Sequence, residues 1–343
     1  MPFPFVTLLC AILAACTLTW RAATAEGDGA MRPIAITAEQ IRGFAKAEPE
    51  RTRFGRLEWR GGLTLTAADS DFGGWSGLVV DAHGTRLAAV SDRLHWLKAE
   101  IVHEGSRIAG LADAMIGPLA PDDPAMKGIG HDRDAEAIAL VSGTLEDGEI
   151  LISFERKSRL ARMAVAAAGL SPVTAYLKPP PEAKAFPENK GFEAATIIAG
   201  GALAGTPVAI AERTKDPGGR HLGWLWIGGE PQPFTLTSAP DYEIADAASL
   251  PDGTLIVLER RASWLGGFAM RLRLIDAAAI RPDAVIGGDV LLEADNNFEV
   301  DNMEGLAVST NAAGETLLTL ISDDNFSYFL QRTIILQFAL DPR

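Results

Sequence analysis

The stretch MEGLAVSTNAAGETLLTLISDD, Met303 to Asp324, decides the fold. It opens on an acid, Glu304, followed by a short apolar strand, Leu306-Ala307-Val308. Asn311-Ala312-Ala313-Gly314 then supplies residues that accept a tight turn. A nearly continuous apolar run, Leu317 to Ile321, comes next, and such runs read as strands buried on both faces. The run ends at a second acid, Asp323. The unit is acid, hairpin, acid.

Four further units line up with it. Their first positions are Ser76 in Trp75-Ser76-Gly77-Leu78, Glu136 in Ala135-Glu136-Ala137-Ile138, Glu193 in Phe192-Glu193-Ala194-Ala195 and Asp246 in Ala245-Asp246-Ala247-Ala248. Successive first positions lie 60, 57, 53 and 58 residues apart. Each second strand closes on an acid, and in these four units an arginine follows it: Asp92-Arg93, Glu155-Arg156, Glu212-Arg213 and Glu259-Arg260. Behind each hairpin there is room for two more strands, for example about 96–103 and 107–115 in the first unit. Four antiparallel strands repeated radially make a β-propeller blade. The sequence thus predicts an all-β propeller of five four-stranded blades, with room between units for a divergent sixth. Two separate β-sandwiches are the alternative, but they do not require a recurring acid-hairpin-acid unit. The last unit runs short, so a strand near Phe54–Trp59 or Leu63–Thr66 is expected to join the C-terminal strand Thr333–Leu340 and close the ring.

Antiparallel return brings the second acid to the same end of the sheet as the first. An inner set (Ser76, Glu136, Glu193, Asp246, Glu304) and an outer set (Asp92, Glu155, Glu212, Glu259, Asp323) should therefore gather at one mouth of the central channel. Crowded carboxylates must take up protons, pair with cations or hold a metal. Oxygen-only ligands favour a hard cation, calcium above magnesium. The competing reading makes the outer acids straps, neutralised by Arg93, Arg156, Arg213 and Arg260. Two clusters stand out: His131-Asp132-Arg133-Asp134-Ala135-Glu136, and Asp323-Asp324-Asn325 with Asp301-Asn302. On this reading Glu136, Glu193, Asp246, Glu304, Asp323 and Asp324 are metal ligands. His131, Asp134 and Glu136 are the general acid–base candidates, and the outer acid–arginine pairs contact substrate. A surface-loop histidine is the alternative for His131.

The chain has 343 residues and a formal net charge of -14, which disfavours nucleic acid as a partner. The apolar run Phe5–Ala15, with Ala23-Thr24-Ala25 as a cleavage site, reads as a signal peptide over 1–25, although no Lys or Arg precedes it. Leu13-Ala14-Ala15-Cys16 offers a competing lipobox and a lipid anchor at Cys16. Both cysteines, Cys10 and Cys16, fall in this segment, so the chain after Ala25 has no thiolate or disulfide chemistry. A periplasmic or secreted protein is expected, with an N-terminal leader over 26–52 and the propeller over 53–343. In the leader, Thr37-Ala38-Glu39-Gln40 looks like the capped start of a short helix.

These units resemble the phytase-like family called "esterase-like activity of phytase". The resemblance rests on Gly77-Leu78 with Ser91-Asp92-Arg93, Asp134-Ala135-Glu136-Ala137-Ile138 with Glu155-Arg156, Asn189-Lys190-Gly191-Phe192-Glu193, Met303-Glu304-Gly305-Leu306 and Ser322-Asp323-Asp324-Asn325-Phe326. It covers about residues 55–340. Where the family has Glu-Gly, this chain has Glu136-Ala137, Glu193-Ala194 and Asp246-Ala247. The resemblance implies bound calcium and hydrolysis of phosphate or carboxylic esters. No Gly-x-Ser-x-Gly elbow is present for a serine mechanism. Three functions stay open: a metal-dependent phosphoester hydrolase, a carboxylic ester hydrolase on the same metal, and a non-catalytic binding propeller.

Overall fold

The structure is a computed structural model that describes residues 31–119, 134–155, 158–166, 169–187, 191–263, 266–327 and 329–342. The expected signal peptide and lipobox, His131 and Arg156 lie outside the described residues.

Five sheets account for the strands, one per sequence unit. Blade 1 runs outward through Trp75–Val80, Arg86–Ser91, His95–Glu104 and Arg107–Pro118; blade 2 through Ala135–Gly143, Gly148–Phe154, Arg159–Ala166 and Gly169–Tyr176. Blade 3 is Phe192–Ile197, Pro207–Lys215, His221–Ile227 and Glu230–Leu236; blade 4 is Glu243–Ser249, Leu255–Ser263, Gly267–Ile275 and Asp289–Ala294. Blade 5 takes three strands from the C-terminal end, Met303–Thr310, Thr316–Ser322 and Thr333–Leu340, and its fourth from Leu57–Ala67. That pairing, Leu340 with Leu57 through Thr333 with Leu65, closes the ring as the short last unit predicts.

Three blades carry an additional outermost strand. Arg32–Pro33 extends blade 1, Val285–Ile286 runs parallel to the edge of blade 3, and Ile36–Gln40 extends blade 5. The last of these corrects the expected helix at Thr37–Gln40. Ile36 pairs with Ala67 and Gln40 with Leu63, so the exposed edge of the closing strand overrides a weak local helix signal. Residues 32–40 are thus part of the propeller sheets.

The second strand of each blade explains why the apolar runs are continuous. Successive side chains point to opposite faces, and each face meets another blade. In blade 4, Ile256 and Leu258 pack with Leu318, Leu320 and Phe338 of blade 5, while Leu255 and Val257 pack with Val208 and Ile210 of blade 3. Similar apolar layers fill the other three interfaces. Each fully buried Leu, Ile or Phe contributes about 1.5–3 kcal/mol, which holds a ring that has no disulfides.

The five inner strands contact one another in ring order. They approach closely: a Cβ on Gly77 would lie 2.6 Å from the Glu136 carbonyl of blade 2, and one on Gly305 would lie 2.9 Å from the Leu78 amide of blade 1.

Candidate functional site

Strand register decides which acids reach the axis. In blade 1, Trp75 pairs with Ser91 and then Gly77 with Val90, so Ser76 is an extra, bulged residue. Blades 3 and 5 repeat this: Glu193 is left out between Phe192 and Ala194, and Glu304 between Met303 and Gly305. In blade 2 the bulge spans Glu136 and Ala137, whose amide donates to Ser153 Oγ at 2.8 Å. A bulge re-aims the extra side chain, here toward the channel. The residue just past the pair that flanks the bulge on the second strand is Asp92, Glu155, Glu212 and Asp323 in blades 1, 2, 3 and 5.

Blade 4 is out of phase with the sequence alignment by one residue. Ile244 pairs with Glu259 and Asp246 with Leu258, so the bulged residue is Ala245 and the outer position is Arg260. The site therefore contains a guanidinium where the other four blades have carboxylates. Arg260 lies 3.4 Å from Glu193, 3.2 Å from Glu212 and 3.5 Å from Glu304, and its Nη1 donates to Asn302 Oδ1 at 3.2 Å. Asn302 Nδ2 in turn donates to Glu304 at 2.6 Å.

Around this cation the carboxylates form two tight groups. Asp134, Glu136 and Glu155 each offer an oxygen within 4.8 Å of the others, as do Glu155, Glu193 and Glu212. Glu155 belongs to both. Glu136, Glu155, Glu193, Glu212, Glu304 and Asp323 are all buried. Burial pushes the Glu136 and Glu193 carboxyls well above the ordinary range, Glu193 opposing Glu136 and Glu212 opposing Glu193. Burial also lifts Glu212 to about 7 and, with Glu304 beside it, Asp323 to about 8. Asp92 rises to about 6 through burial and the Asp134 charge. Burial works against the Arg260 charge, yet Glu304, Glu193 and Glu212 hold it above its ordinary value. Both groups offer oxygen donors of the kind that can bind a hard metal ion.

Other predicted residues are placed elsewhere. Asp246 does not join the mouth. It is buried against blade 5, accepting from the Leu306 and Ala247 amides at 2.8 Å each. Glu259 turns to the opposite face, where Arg271 and Arg273 bind it at 2.7 and 2.5 Å. Asp324 is a strap between blades: its Oδ1 accepts from the Gly74 amide of the blade 5–blade 1 connection and from the Phe326 amide, and its Oδ2 from Thr333 Oγ1. Asp301 likewise accepts from the Arg332 amide. At the rim, Arg213 pairs with Glu243 and Glu212, and the Arg93 guanidinium sits 3.3 Å from the Phe326 ring centroid. The alignment had grouped Arg260 with these rim arginines. The signal for its separate place was the 13-residue gap between Asp246 and Glu259, against 16 to 19 in the other units.

The other end of the channel is different in kind. A cavity of about 190 Å³ there is lined by all five inner strands through residues such as Val80, Leu140, Ile197, Ala248 and Val308. Among the described residues, no charged one lines it.

A family model described as "Phytase-like: Esterase-like activity of phytase" matches residues 70–326. The chain belongs to this family. The phytase-like domain is also 31% identical over 131 residues to a protein named "Secreted exoenzyme S" from Pseudomonas aeruginosa, a match covering 34% of this chain and 29% of that protein. The chain thus spans under a third of that relative. Among solved structures, an endo-arabinase from Bacteroides thetaiotaomicron aligns with a TM-score of 0.48 at 11% identity, over 78% of this chain and 94% of that one. A structure titled "Structure of Dos1 propeller" gives 0.38 at 10% identity, over 84% and 74%. Raptor from Chaetomium thermophilum gives 0.41 at 9% identity, over 92% and 29%. Similarity this distant does not bear on the substrate of the phytase-like domain. Among its described residues, no helix is long and apolar enough to cross a membrane.

Proposed function

We propose that this phytase-like propeller is an exported, calcium-dependent hydrolase of phosphate or carboxylic esters that works at the acidic mouth. One observation carries the reading. Asp134, Glu136, Glu155, Glu193 and Glu212 gather into two tight, overlapping oxygen groups at one mouth, with Glu193, Glu212 and Glu304 against the buried guanidinium of Arg260 and Asp92 and Asp323 beside them. The donors are oxygens, with no thiolate among them, which suits calcium.

Asp134, Glu136 and Glu155 in one group, and Glu155, Glu193 and Glu212 in the other, are the residues that would hold an ion. Calcium bound there would offset charge on an ester oxygen and lower the pKa of a water. Asp92 and Asp323 stand apart from the two tight groups and titrate near neutrality, so they are the chain's own proton-handling groups. Arg93 and Arg213 at the rim are placed to meet an anionic substrate end. Export rests on the expected signal peptide, with the lipid anchor at Cys16 as its variant.

The test is turnover of p-nitrophenyl phosphate and p-nitrophenyl acetate by the purified protein with calcium, then with chelator. The expected result is activity with calcium that chelation abolishes and Glu136→Gln removes without unfolding. Absence of turnover in both conditions would leave a binding propeller and overturn the hydrolase.

A further inference from the structure

The connection that begins at Asp323 leaves the mouth and returns to the third strand of blade 5 at Thr333. Its described residues are pinned at both ends. Asp323 and Asp324 accept from the Asn325 and Phe326 amides at 2.6 and 3.0 Å, and these two residues hold left-handed φ values of 47° and 51°. The Ser327 amide donates to the Asp324 carbonyl at 2.7 Å, and the Leu330 and Gln331 amides both donate to the Ser327 carbonyl, at 2.8 and 3.0 Å. Beyond them Arg332 pairs with Glu299 and Asp301, and its carbonyl accepts from Ser322 Oγ at 2.6 Å. A turn tied this closely nevertheless leaves its apolar side chains in water: Phe329 is 102% exposed and Leu330 84%. Among the described residues the next most exposed large apolar side chain, Val285, reaches 57%. Scattered exposed apolar residues need no explanation, but two adjacent ones held out by a fixed turn mark a contact surface.

Shape, place and charge choose the occupant. A side chain wholly in water walls no concave pocket, and single small molecules are held by concave sites. Projecting Phe and Leu side chains suit a lipid surface, which they enter from the head-group side. The turn starts at a mouth acid, Asp323, so a surface that takes Phe329 and Leu330 lies against the mouth. The net charge of -14 and the carboxylates of the mouth repel anionic head groups.

We propose that Phe329 and Leu330 dock the mouth face on a lipid surface without net charge, which makes a lipid ester the substrate. The docking stands on exposure and placement; the substrate class rests on the hydrolase reading.

The experiment is sedimentation of the full chain with phosphatidylcholine vesicles in chelator, wild type against Phe329→Ser/Leu330→Ser. Both side chains lie in water, so the double variant should fold, and any apolar contribution from residues 1–25 is common to the two proteins. Because two apolar side chains no longer leave water, the variant should bind at least about tenfold more weakly. In a second arm with calcium, turnover of vesicle-borne p-nitrophenyl palmitate is divided by turnover of soluble p-nitrophenyl acetate, and the ratio should fall by a similar factor. Equal vesicle binding by the two proteins, or none by either, would overturn the docking whatever the turnover. Tighter binding to phosphatidylglycerol than to phosphatidylcholine vesicles would overturn the choice of surface. A dimer that the double variant dissolves, without vesicle binding, would make the turn a contact between copies and overturn the lipid. Weakened vesicle binding with an unchanged ratio would keep the docking and remove the lipid ester as substrate. Weakened binding with no turnover of either ester would keep the docking and remove the hydrolase.

Discussion

Replacing Asp246 with Ala separates the register argument from the sequence alignment. The carboxylate is fully buried and accepts from the Leu306 and Ala247 amides at 2.8 Å. Truncation leaves both N–H groups without their acceptor, at about 1–3 kcal/mol each, or about 2–6 kcal/mol together. That figure applies at low pH, where the carboxyl is protonated in folded and unfolded chains alike. Burial raises the folded pKa well above the ordinary value. A raised carboxyl pKa gives stability that is complete below the unfolded value of about 3.9 and is lost as pH climbs toward the folded one. Across that window the wild type loses about 1.4 kcal/mol per pH unit, and the variant does not. Asp246→Ala is therefore expected to be most destabilising at acid pH and progressively less so as pH rises. Asp246→Asn, which keeps one acceptor oxygen, should cost less. Urea unfolding of the three proteins in chelator over pH 4–8 measures this. Calcium binding should be unchanged in both variants. A folded Asp246→Ala protein that has lost calcium would refute the register and return Asp246 to the mouth.

Three other outcomes follow from the same geometry. Glu259→Gln strands Arg271 and Arg273 in the interface between blades 3 and 4 and should cost about 3–5 kcal/mol by chemical denaturation, with calcium binding intact; loss of calcium with little loss of stability would contradict it. The metal-free protein should lose a few kcal/mol between pH 5 and pH 8, because Asp92, Glu212 and Asp323 carry raised values of about 6, 7 and 8 and their contributions fade as pH rises through them. Calcium should restore stability at pH 8 and release protons on binding; a thermal midpoint that climbs with pH in chelator would be the contrary result. Gly77→Ala places a Cβ 2.6 Å from the Glu136 carbonyl, so it should destabilise the ring by about 1–3 kcal/mol and weaken calcium binding. Both effects are readable by calorimetry, and a neutral substitution would show that the inner strands have slack.

Much of this was legible in the residues. The five recurring hairpins, the continuous second strands and the short last unit specify a closed propeller, because only a strand buried on both faces tolerates Leu255-Ile256-Val257-Leu258 or Leu317 to Ile321. The convergence of Glu136, Glu155, Glu193, Glu212, Glu304 and Asp323 was also legible, since antiparallel return places both hairpin ends together. Register was not. In a strand, one residue of offset turns a side chain to the other face, and the short 13-residue gap between Asp246 and Glu259 marks blade 4 as different without saying where hydrogen bonding begins. The backbone pairing of Ile244 with Glu259 settled it, sending Asp246 and Glu259 into the packing between blades and Arg260 into the mouth. Asp324, one residue beyond Asp323, was displaced from the site for the same reason of parity and binds the start of blade 1. Composition and repeat thus determined the architecture and the charged mouth, while the hydrogen-bond register of assembled strands alone decided which charges meet there.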